Sequence, residues 1–114
     1  MVKAHLETKA AMDKGAADDE LAGVRTLIRH AQWRWDFAAA GHGNAFHAPL
    51  ETARILGTSI DKAQEARVRL AKILARHGMT GDVALPDTGT KAKAQKHIGL
   101  DMKKLAAEKS AAAR

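Results

Sequence analysis

Apolar residues recur three and four positions apart through most of this chain, a period that predicts helices rather than strands. Val2, Leu6, Ala10 and Met12 give a loose first helix from Val2 to about Lys14, stopped by Gly15. Leu21, Val24, Leu27, Ile28, Ala31, Trp35 and Ala38 then mark the buried face of a second helix, from about Asp19 to Ala40. Asp18 or Asp19 offers its N-cap, and Glu20 suits the positive end of the helix dipole. Trp33 and Phe37 fall off that stripe, which predicts a helix covered on two sides. The run Gly41-His42-Gly43-Asn44 breaks it.

Pro49 fits the first turn of a third helix, where its missing N–H has no partner to lose. This helix is predicted over 49–76 and is the longest. Leu56, Ile60, Ala63, Ala66, Leu70, Ile73 and Leu74 repeat along it like the seam of a coiled coil. Ala63 and Ala66 allow another helix to approach closely, and Glu65 and Arg69 form a supporting pair one turn apart. His77-Gly78 closes the helix. Met79 to Gly89 reads as an extended connection. Thr90 can cap a short helix from Lys91 to about His97, and Asp101 a last one to about Lys109, with a frayed Ser110–Arg114 end. The expected fold is all-α: one domain over 1–114, an antiparallel helical hairpin or bundle with one long helix and short C-terminal helices.

The 114 residues allow a single domain, and its core is thin. Alanine supplies much of the 46% hydrophobic share, and the only aromatics are two Trp and two Phe. The net charge of +6 comes from interleaved basic and acidic residues rather than a basic block, a pattern of solvated helix faces. Arg25, Arg29 and Arg34 share the second helix with no short turn to a recognition helix, so no nucleic-acid partner is expected. No apolar run is long enough to span a membrane, and no signal peptide opens the chain. Cysteine is absent, which removes disulfides, thiolate metal sites, cysteine nucleophiles and every CxxCH haem-attachment site. There is no GxSxG, P-loop or GxGxxG for hydrolysis or nucleotide chemistry. Asp36 and Glu51 read as helix-surface or capping carboxylates, and Trp33 and Trp35 as core residues.

His30, His42 and His47 are the candidate ligands. His42 and His47 flank the break between the two long helices, but their spacing is not the HxxxH of a zinc site, and no thiolate completes a set. A single imidazole can nonetheless serve as an axial ligand of haem iron. A lone histidine is more commonly a surface residue, and spacing alone does not choose between these readings for His47.

The segments His30-Ala-Gln-Trp-Arg-Trp-Asp-Phe37, Gly41-His-Gly43 and Phe46-His-Ala-Pro49 resemble the C-terminal helical region of the ammonia-forming, pentahaem cytochrome c nitrite reductases. The likeness continues through Leu56-Gly-Thr58, Asp61-Lys-Ala63 and Leu70-Ala71 to Pro86-Asp87 and Ile98-Gly-Leu100. It implies that His47 is a distal axial ligand to haem iron. It also implies a dimerisation surface that includes Leu56, Ile60, Ala63 and Leu70, in a periplasmic parent that reduces nitrite to ammonium. On that reading there are no catalytic residues here, no haem is bound covalently, and haem c belongs to the full-length parent. The partner is that parent's missing haem-bearing N-terminal part, with homo-oligomerisation through the long helix. The isolated chain is expected to be inactive. The alternatives are a free-standing helical interaction module and, less favoured, a basic nucleic-acid binder.

Overall fold

The computed structural model describes residues 1–112, which form six helices and no strand. They are α1 (Val2–Asp13), α2 (Asp18–Ala40), α3 (Asn44–His47), α4 (Pro49–Arg76), α5 (Lys91–His97) and α6 (Met102–Ala112). The all-α expectation holds, and the two long helices end within a residue or so of their predicted bounds. The chain divides into two compact units, Met1–Val83 and Ala84–Arg114.

In the first unit α4 runs antiparallel along α2. Glu20 at the start of α2 meets Arg76 and His77 at the end of α4, and midway the Ser59 hydroxyl donates to the Ala31 carbonyl at 2.7 Å. The core joins Leu21, Val24, Leu27 and Ile28 to Ala66, Leu70, Ile73 and Leu74, with Ala4 and Ala11 of α1 against them. Leu21 and Leu70 are completely buried, and each such leucine contributes about 1.5–3 kcal/mol. Small residues at Ala31, Ser59, Ala63 and Ala66 are buried as well, so the helices can pack closely.

The buried face of α1 differs from the expected one. Ala4, Glu7, Thr8 and Ala11 are inside, while Val2 and Met12 are exposed. The two polar residues are satisfied where they lie. Thr8 donates to the Ala4 carbonyl at 2.7 Å, and Glu7 accepts from Arg67 of α4.

The second helix is not covered on two sides. Its stripe stops at Ala31, and Trp33 and Phe37 are exposed, as is Trp35, which the pattern placed inside. Its N-cap is Ala17 rather than an aspartate, and the Glu20 carboxylate accepts from the Ala17 N–H at 3.1 Å.

Half of the seam read as a surface for a second copy packs within the chain itself. Leu70 is fully buried and Ala63 nearly so against the chain's own helices, and neither offers area to a neighbour. Leu56 is half-buried, and Ile60 is 64% exposed because Ser59 takes the inward position. The predicted Glu65–Arg69 pair forms at 2.8 Å.

In the second unit Thr90 caps α5 by accepting from Lys93 N–H at 3.3 Å. Asp101 accepts from the N–H groups of Lys103 and Lys104 at 2.9 and 3.1 Å, the cap expected there. No residue of α5 or α6 is buried. The last helix extends past Lys109 to Ala112; of the end expected to fray, Ala113 and Arg114 lie outside the described residues.

Candidate functional site

The turn between α2 and α4 is a short helix, α3, preceded by two special glycines. A Cβ on Gly41 would stand 1.8 Å from Asn44 Nδ2, so any other residue there would make the Asn44 side chain move aside. Gly43 has φ +88°, the left-handed conformation that side chains disfavour, and begins α3. Its carbonyl accepts from the N–H groups of Phe46 at 3.0 Å and His47 at 2.8 Å. The chain then turns at Ala48 into Pro49, the first residue of α4, and the Ala48 carbonyl accepts both the N–H and the hydroxyl of Thr52 at 2.9 Å.

His47 therefore sits on a turn pinned at both ends. Its imidazole is exposed and makes no hydrogen bond among the described residues. The Phe46 ring meets it edge-on, with centroids 5.1 Å apart and planes at 87°. Phe46 is 84% exposed and Leu50 86%. All four aromatic side chains are exposed between Trp33 and Phe46, and Trp33 stacks on Phe37 at 6.1 Å.

The other candidates are not gathered with His47. His42 is exposed two residues before α3, and His30 lies on α2, where its carbonyl accepts from Arg34 Nη1 at 2.9 Å. Among the described residues no three His, Cys, Asp or Glu side chains group to hold a metal ion. Asp36 accepts from Gln32 at 2.8 Å and Glu51 from Arg54 Nε at 2.7 Å, both as helix-surface carboxylates. The Arg54 guanidinium beside Glu51 holds its carboxyl below the usual range. A groove of about 530 Å³ between α1 and α2 is lined by His5, Arg25, Arg29 and Trp33, and neither His42 nor His47 reaches it. No helix among the described residues is long and apolar enough to cross a membrane. The sequence singled out His47, which the structure places exposed on the turn between α2 and α4. The Gly43 and Phe46 contacts with it were not, although the Gly-x-Gly run marked the place.

The family described as Cytochrome c552 matches residues 1–114. The chain belongs to the cytochrome c552 family. It is 59% identical over 104 residues to the cytochrome c-552 of Bacteroides fragilis, covering 91% of this chain and 21% of that protein. With the cytochrome c-552 of Parabacteroides distasonis it shares 58% over 111 residues, 97% of this chain and 22% of the relative. With that of Porphyromonas gingivalis it shares 53% over 102 residues, 90% and 20%. The chain spans about a fifth of the length of these cytochrome c552 relatives.

This overturns the assignment to a nitrite reductase and its C-terminal dimerisation domain, since family and relatives carry the name cytochrome c552. The AQWRWDF and HAP segments describe a helix, a turn and an imidazole, which is a scaffold and not a reaction. The expected partner, a missing haem-bearing part of that reductase, falls with it. The cofactor expectation is corrected too: haem c is the group of the cytochrome c552 family to which this chain itself belongs, not of a nitrite reductase parent only. The residues fit that group in part. Exposed imidazoles suit axial ligation, whereas thioether attachment of haem c has no cysteine among the 114 residues.

Proposed function

We propose that this chain is a haem-ligating helical region of a c-type cytochrome, with His47 supplying an axial imidazole to haem iron in electron transfer. The observation that carries the reading is the His47 ring itself, exposed and free of hydrogen bonds among the described residues, on a turn pinned by Gly43 and Pro49. Bound haem iron supplies one-electron redox chemistry. The chain's own part is to hold the ring. Two backbone bonds to the Gly43 carbonyl fix α3, and Phe46 limits rotation of the imidazole from one side. Phe46, 84% exposed beside the ring, offers apolar surface of the kind that a porphyrin environment needs in order to exclude water.

Titration of the purified chain with iron protoporphyrin IX, followed in the Soret band, tests this. The expected result is a band shift that saturates for the wild type and is lost in His47→Ala. Identical titrations for the two proteins would contradict the assignment.

A further inference from the structure

We infer that Gly43 is a positioning residue for His47, absent of side chain so that the Nε2 edge of the imidazole stays open to a bulky metal complex. The inference rests on the reading of His47 as a ligand. A Cβ built on Gly43 stands 3.3 Å from His47 Cδ2 and 3.7 Å from Nε2, and no other ring atom comes within 4 Å of it. Its nearest atoms are thus those of the Cδ2–Nε2 edge, so a side chain would stand outside the ring on the side where Nε2 presents its lone pair. The 3.3 Å contact is already tight, and the ring would have to give by a few tenths of an ångström. A flat macrocycle centred on a metal at Nε2 needs the space on every side of that nitrogen, and a methyl group there intrudes on it.

The backbone gives a second requirement at the same residue. At φ +88° Gly43 directs its carbonyl onto the N–H groups of Phe46 and His47, so the conformation that empties the edge also anchors the ligand's own backbone. Alanine meets both penalties. Asparagine accepts the left-handed conformation more readily but still carries a Cβ. The two substitutions therefore separate clearance from backbone strain.

The experiment titrates wild type, His47→Ala, Gly43→Ala and Gly43→Asn with iron protoporphyrin IX, with circular dichroism to confirm equal helicity. The expected result is His47-dependent binding that weakens about tenfold or more in both Gly43 variants. Wild-type affinity in Gly43→Asn, whatever Gly43→Ala does, overturns the clearance role. Equal titration of wild type and His47→Ala overturns the ligand assignment itself, and the two failures are thereby distinguished.

Discussion

Arg67 of α4 donates to the Glu7 carboxylate of α1 from Nε at 2.9 Å and from Nη2 at 2.8 Å, across 60 residues of sequence. Glu7 is almost buried, and its exposure of 11% leaves little water to replace Arg67 if the pair is broken. The bond holds the otherwise weakly apolar α1 in place, because the face it accompanies is made of alanines and a threonine.

Glu7→Ala is expected to lower stability by about 1.5–3 kcal/mol, the range for hydrogen bonds to charged groups. Arg67 keeps a third of its side chain in solvent, so the lower part of that range applies more closely. Urea denaturation measures it, and an unchanged midpoint would show that α1 is held by other contacts.

Leu70→Ala is expected to cost about 2–5 kcal/mol, because the residue is completely buried where α4 meets the other helices. Ile60→Ala, ten residues earlier on the same predicted seam, should stay within about 0.5 kcal/mol, since Ile60 is exposed. Thermal unfolding of both variants separates them; equal losses would mean that Ile60 is covered in solution.

Ala63→Leu tests the close approach of α2 and α4. The site is buried beside the Ser59–Ala31 bond, so three added carbons must push the helices apart, at about 1–3 kcal/mol. A denaturation midpoint equal to that of the wild type would show a looser seam than the structure has.

Glu20 makes stability depend on acid. Its carboxyl lies below its ordinary value of 4.5, held there first by the Ala17 N–H and then by His77 and Arg76. A lowered folded-state value means stability that is present above 4.5 and lost as pH falls through the folded-state value. Glu20→Gln should therefore flatten the fall of the melting temperature in that acid window. A slope identical to that of the wild type would remove Glu20 from the acid response.

The helices were legible because Gly15, Gly41, Pro49 and Gly78 punctuate the chain by backbone geometry, which sequence expresses directly. Which face of each helix lies inside was less so. A hydrophobic period weighs Val2, Met12, Trp35 and Ile60 above Ala4, Thr8 and Ser59, yet closely approaching helices select small residues whatever their polarity. The Glu7–Arg67 and Ser59–Ala31 bonds depend on that approach and have no local signature. His47 could be singled out through the HAP segment, but the same segment suggested a nitrite reductase, because a shared local scaffold carries no record of the reaction. The role of Gly43 depends on where its missing Cβ would point, and one-dimensional spacing does not encode that direction.

Electron paramagnetic resonance of the chain loaded with ferric protoporphyrin IX tests the central claim most directly, with single substitutions His5→Ala, His42→Ala and His47→Ala. Imidazole ligation through His47 predicts that the signal of the loaded wild type persists in the first two variants and is replaced by that of the unligated porphyrin in the third. A signal that survives His47→Ala, or that disappears with His42→Ala instead, would contradict the account.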